Sequence, residues 1–324
     1  KALEDGGDIR FSSDQAGTTQ LPCHVRHFSA SGGTANIAIK TGTSNSAATR
    51  VYVWYLKSGE SQPIATDPYG QYATYDSSYI AVWPLHEDPA GGSVAADATN
   101  NGNDLTAAAG VNNPSQMAGQ VYRAWQFDHA TPGEEDYGTL TGIAAVRPVS
   151  CEALRYQVQN TSMAILGGDG EPGNQYVWYS SPGSQRWRSS TATVSRGHPS
   201  VTSSGWSHIG IIWFNGGFQP VANGVDGGFG GNITGTSTIR RVGLDDEAAY
   251  PSSEVFGLEE LRISFVQRTL EWMQAGYENL INPGTFFTVG TPESVIGGIT
   301  TTVTATNAAG SDVDTFNWVE IPPP

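Results

Sequence analysis

Apolar residues recur at every second position in many short runs along this chain, and a two-residue period predicts strands rather than helices. Asp8-Ile9-Arg10-Phe11-Ser12, Cys23-His24-Val25-Arg26-His27-Phe28 and Ala35-Asn36-Ile37-Ala38-Ile39-Lys40 read this way. Arg50-Val51-Tyr52-Val53-Trp54-Tyr55-Leu56 is the strongest strand of this first group, rich in β-branched and aromatic residues. Ile80-Ala81-Val82-Trp83-Pro84-Leu85 opens a second group. It continues with strands at 124–127, 152–158, 175–179, 207–214, 220–224 and 257–264. Gly/Ser/Thr clusters separate the runs, as turns require. One helix is expected among them. Thr269 can cap it, Glu271 suits its first turn, and Val266, Leu270, Met273 and Tyr277 share a face, with Asn279 and Pro283 ending it.

These runs divide the chain into a small β-domain over 1–78, a larger β-domain over 79–290 and a closing hairpin over 291–324. The hairpin pairs Thr300–Thr306 with Asp314–Glu320, and it is too small to fold alone. The fold class expected is all-β: an antiparallel β-sandwich with a smaller N-terminal β-domain.

Composition agrees with many strands joined by glycine-rich turns: 40 Gly, nine Trp, thirteen Tyr, and only 15% charged residues in 324. The net charge of −15 and the lack of any basic run argue against a nucleic-acid partner. No segment approaches the roughly twenty apolar residues that span a bilayer. The chain opens at Lys1 and reads as a processed or truncated fragment. Its two cysteines, Cys23 and Cys151, are far apart. They are compatible with one bridge or with two buried thiols.

Three stretches resemble laminin-G-like (concanavalin-like) jelly rolls. Ile80-Ala81-Val82-Trp83-Pro84-Leu85-His86-Glu87, followed by Asp97-Ala98-Thr99-Asn100-Asn101-Gly102, resembles the opening strand and turn of that family. Trp125-Gln126-Phe127-Asp128 resembles its next strand, with His129 where glycine is usual. Gly257-Leu258-Glu259-Glu260-Leu261-Arg262-Ile263-Ser264 resembles its closing strand. The first domain is similar to a small β-domain that precedes such jelly rolls in bacterial surface and phage virion proteins. Val303–Gly310 is similar to the end of Ig-like or cadherin-like adhesin repeats. The resemblance implies an extracellular, cell-surface or virion location. It also implies a glycan or surface protein as partner, or copies of the chain and neighbouring subunits.

Many jelly rolls hydrolyse glycosides, which takes two carboxylates flanking the scissile bond. The run those enzymes carry, E-x-D-x-x-E, is absent. Glu259 and Glu260 are adjacent and should face opposite sides of a strand, one of them pairing with Arg262 or capping a loop. Two acidic loops, Glu134-Glu135-Asp136 and Asp245-Asp246-Glu247, are candidates for Ca²⁺, which takes oxygen ligands. Asp97, Asn101, Asn103 and Asp104 form a third Ca²⁺ candidate, with turn-forming Asx residues the favoured reading. The six histidines follow no zinc pattern, and Gly227-Gly228-Phe229-Gly230-Gly231 reads as a flexible turn.

Aromatic residues supply the binding signal, because sugar rings stack on flat aromatic faces. Trp178, Tyr179 and Trp187, with Arg186 and Arg188 beside them, are the candidate ligand-binding residues; the other reading of the same residues is sandwich core. Trp83, Trp125, Trp206 and Trp213 are assigned to packing. The leading expectation is a non-catalytic recognition or adhesion module, carbohydrate-binding and calcium-assisted. A structural module of a virion fibre or surface filament comes second, and a polysaccharide hydrolase or lyase third. Fold alone does not choose among them.

Overall fold

The computed structural model describes residues 2–42, 49–129, 135–145, 149–157, 163–169, 176–181, 184–188, 193–197, 204–214, 217–231, 237–244, 255–290, 293–295, 298–305 and 313–317. In some of these strands only the backbone is described. The chain forms two compact units, Lys1–Asp76 with Gln274–Pro324, and Ser77–Met273.

Ser77–Met273 is a jelly-roll-like sandwich of two antiparallel sheets. One runs Val225–Asp226, Gly217–Ala222, Gly205–Phe214, Val149–Gln157, Val255–Ser264, Arg123–Asp128, Ser115–Ala118, with Tyr79–Trp83 also on Val255–Ser264. The other runs Thr193–Gly197, Ser184–Arg188, Tyr176–Ser181, Met163–Asp169, Ser237–Val242, Gly138–Ala145, Leu105–Ala107, Val94–Ala95. Alternate residues of both sheets meet in one core: Cys151, Ala153, Ile209, Ile211 and Trp213 from the first, Met163, Ile165, Trp178 and Ile239 from the second. Trp83 and Trp125 join that core, as their sequence pattern predicts.

The turn that resembles the laminin-G opening is a closed hydrogen-bond knot. Asp97 Oδ1 accepts from the amides of Val82 and Thr99 at 3.1 and 2.9 Å, and Oδ2 from Asn103 N and Thr99 Oγ1. Asn101 and Asn103 donate their side-chain amides to the carbonyls of Tyr79 and Ile80. These acidic and amide groups therefore pin the first strand, which is the Asx-turn role expected of them.

The other unit has its own core of Ile9, Phe11, Cys23, Ile37, Ile39, Val51 and Val53, closed by Ala275, Phe286 and Phe287. The two strands read as a terminal hairpin do not pair with each other. Gly298–Ala305 lies between Thr49–Tyr55 and Phe287–Val289, whereas Val313–Asn317 pairs with Thr34–Gly42 in a three-stranded sheet. Seven register pairs join Gly298–Ala305 to Thr49–Tyr55, and five join Val313–Asn317 to Thr34–Gly42, so each strand is taken up by a sheet of the unit rather than by its sequence neighbour.

The helix spans Leu270–Ile281, and Trp272 N donates to Thr269 Oγ1, so Thr269 caps it as expected. Its buried stripe is Trp272, Met273, Ala275, Gly276, Asn279 and Leu280, not the expected Val266–Tyr277 face, of which only Met273 is buried. Both cysteines are free and buried. Burial pushes the Cys23 thiol up to about 12 and the Cys151 thiol up as well, so these are packed thiols.

Candidate binding site

The Gly205–Phe214 strand alternates Ile209, Ile211 and Trp213 into the core with Trp206, His208, Gly210, Ile212 and Phe214 onto the outer face of its sheet. An aromatic pair stands at each end of that outer row. Trp206 is in register with Tyr156 and half-buried, and the two rings lie 5.4 Å apart at 54°. Gly257 sits opposite Tyr156 on the neighbouring strand, with Met117 Sδ over it. Trp206 thus departs from its expected place in the core, because the outward side of the strand ends there at the sheet surface.

At the other end Phe229 stacks on Phe214, with centroids 4.9 Å apart and planes within 7° of parallel. Phe229 is 63% exposed. The glycine run that carries it is not a loose turn. Gly227 N donates to Pro220 O, Gly228 N to Asp226 Oδ1, and Phe218 and Gly230 exchange both amide–carbonyl bonds at 3.2 Å. Gly228 has a φ of +82°, which a side chain would resist. The loop therefore holds an apolar ring in water on a fixed frame. Phe214 lies eight positions along the strand from Trp206, or about 26 Å.

Between the pairs lies a buried network. Glu152 accepts from His208 Nε2 at 3.2 Å, and from Arg262 Nη1 and Trp272 Nε1 at 3.5 Å. Arg262 Nη2 also donates to Glu260 Oε2 at 2.9 Å. Glu259 accepts the amides of Gln120, Val121 and Tyr122 at 2.7–3.0 Å, and His86 Nε2 at 3.2 Å. Gly119 precedes that loop because a Cβ there would lie 2.6 Å from the Glu259 carboxylate. Glu260 pairs with Arg262 and Glu259 caps a loop, whereas only one of these roles was expected of the pair. The expected opposite facing does not hold. Glu260 has a φ of +55° and sits in a β-bulge, so both carboxylates turn toward His86.

Burial alone would raise the Glu152 carboxyl. The His208 hydrogen bond and the charges of Arg262, His208 and Arg268 outweigh it and hold the group at about 2. Every one of these carboxylates is engaged by neighbouring side chains or amides, and all three residues are at least 96% buried, at 4%, 0% and 0% exposure for Glu152, Glu259 and Glu260. The network can brace the sheet; a substrate would have to unfold it to reach these acids.

The aromatic candidates chosen from sequence fare unequally. Trp178 has 0% exposure, lies in the sandwich core and donates its indole N–H to Gln185 Oε1, so it is a packing residue and not a ligand contact. Tyr179 and Arg186 face each other in register, as do Trp178 and Trp187, and for Tyr179, Arg186 and Trp187 the description stops at the backbone. Of the calcium candidates, Glu134, Asp245 and Asp246 lie outside the described residues. Glu135 is half-buried, and its carbonyl accepts from Asn112 Nδ2. Asp136 is buried; its carboxylate accepts from Asp128 N at 2.8 Å, and burial raises it to about 6. Among the described residues no cluster of three or more acidic, His or Cys side chains fits a metal ion.

No protein-family model matches this chain, and no curated protein matches it either. It is similar to solved structures. Domain 4 of AbnA, a GH43 extracellular arabinanase from Geobacillus stearothermophilus in complex with arabinotriose, shares 16% identity over 62% of this chain and 98% of that one, with a TM-score of 0.47. The binding domain of Paraclostridial Mosquitocidal Protein 1 shares 9% over 62% and 52%, TM-score 0.45. A structure of botulinum neurotoxin type C, whose cell entry is dependent upon interaction with two ganglioside molecules, shares 10% over 64% and 52%, TM-score 0.47. The chain spans about half the length of the two toxin chains.

Proposed function

We propose that this chain is a non-catalytic recognition module of a surface or virion protein, and that its ligand is a glycan held on the outer face of the Gly205–Phe214 sheet. The stacked and exposed Phe229 ring carries the reading. Burying such a ring would gain about 2 kcal/mol, yet a hydrogen-bonded loop holds it in solvent, where it offers a flat apolar face to a sugar ring. The Tyr156–Trp206 pair stands at the far end of the same outer row, beyond the buried His208, Gly210 and Ile212. The reading of no catalysis draws on Glu152, Glu259 and Glu260, whose oxygens are all engaged.

A glycan array followed by calorimetry on the purified chain, with Ca²⁺ and with EGTA, tests this. Binding should appear for at least one neutral glycan, and Phe229→Ala should weaken it about tenfold or more without moving the melting temperature. EGTA should weaken it if the acidic loops hold calcium. Release of reducing sugar by the chain would overturn the reading. A stable oligomer without glycan affinity would overturn it in favour of a structural module.

A further inference from the structure

The other unit, Lys1–Asp76 with Gln274–Pro324, carries a hollow of about 480 Å³ lined by Leu21, Pro22, Lys40, Thr41, Pro68, Ala73 and Tyr75, with Gly42 at its edge. That volume leaves room for a six-membered ring with substituents. Its lining is mainly apolar, Lys40 is its one charged residue, and none of its lining residues is acidic. In a chain of net charge −15 this is an unusual place.

Lys40 sits on the central strand of the three-stranded sheet, its amide fixed to Pro22 O at 3.0 Å. It is half-buried and has no ion-pair partner among the described residues. Tyr75 is buried, and its hydroxyl accepts from Arg26 Nη2 at 2.6 Å and lies 3.2 Å from His24 Nδ1. Arg26 also lies over the ring, 5.9 Å from its centroid. Two further basic side chains thus stand behind the aromatic wall of the hollow. A basic spot against a field that repels anions elsewhere selects for a negative group that also has a body to fill apolar space.

We propose that this hollow binds the carboxylate-bearing ring of an acidic sugar, a uronic acid standing at the end or side of a longer glycan. Lys40 supplies the counter-charge, and Tyr75 with Pro22 and Pro68 the walls against which the ring packs. The hollow is lined by one unit only, so its occupancy does not depend on the aromatic face of the sandwich.

Titration of the full chain with glucuronate and with glucose, followed by NMR or calorimetry at low and high salt, tests the proposal. Glucuronate should bind with a millimolar constant, glucose at least tenfold more weakly, and added salt should weaken glucuronate binding. Lys40→Gln should cost tenfold or more, and Tyr75→Phe severalfold, with circular dichroism unchanged. Phe229→Ala should leave glucuronate binding intact, which separates this site from the proposed aromatic one. Equal affinity for glucose and glucuronate, or full affinity in Lys40→Gln, would overturn it. If Lys40→Gln does not fold, Lys40→Arg keeps the charge and should retain binding; loss of binding in that folded variant would also overturn it.

Discussion

Glu259 and Glu260 are sequence neighbours whose carboxylates both reach His86 Nε2, at 3.2 and 3.7 Å. Strand alternation would send them to opposite faces. The bulge at Glu260 cancels that alternation, and Glu260 then pairs with Arg262 while Glu259 turns into the Gly119–Tyr122 loop.

Glu259→Ala leaves the amides of Gln120, Val121 and Tyr122 without their acceptor. The expected cost is about 3 kcal/mol in urea unfolding, with the m-value unchanged. A loss below about 1 kcal/mol would show that water replaces the carboxylate.

Glu152 predicts an acid limb in the stability profile. Its folded-state value of about 2 lies below the ordinary value of 4.5, so the folded state binds fewer protons in that interval. Its contribution is complete above pH 4.5 and disappears as the pH falls from 4.5 toward 2. Glu152→Gln should flatten the profile of unfolding free energy across that interval while lowering stability at pH 7. An unchanged acid slope in the variant would contradict the assigned ion pairs.

Gly243 combines two constraints that separate it from most glycines of the chain. Its φ is +91°, and an added Cβ would lie 2.3 Å from the Phe127 ring, inside the sandwich core. Gly33 has a φ of +65° and nothing within 4 Å. Gly33→Ala should therefore cost about 1 kcal/mol, and Gly243→Ala about 3 kcal/mol or more. Chemical denaturation of both variants makes the comparison, and equal costs would disprove it.

The thiols make a chemical prediction. Cys23 and Cys151 are buried in separate cores. A thiol reagent should label neither in the native chain on a minutes timescale and both after denaturation. Fast labelling of either thiol in the native chain would place it at the surface.

Much of the strand pattern was legible because alternation is a local property. Ile37 and Ile39, or Ile209 and Ile211, share one side of a strand without reference to any partner. The Asp97 turn was legible for the same reason, since an Asx turn closes on amides a few residues away. Trp206 and Trp213 show where that logic stops. Both stand on one strand in similar surroundings of apolar residues, yet seven positions apart they face opposite sides, so one is core and the other half-exposed. The Phe214–Phe229 stack had no signal in sequence beyond an aromatic within a glycine run.

By itself the sequence determined the all-β class, the positions of the strong strands and the Thr269 cap, since each depends on neighbours within a few positions. Tertiary structure alone decided that residues 298–305 and 313–317 enter two different sheets, that Trp178 is core, and that Phe229 meets Phe214. Strand partners are chosen by register between segments far apart in the chain, and a residue's exposure follows from what that choice lays over it.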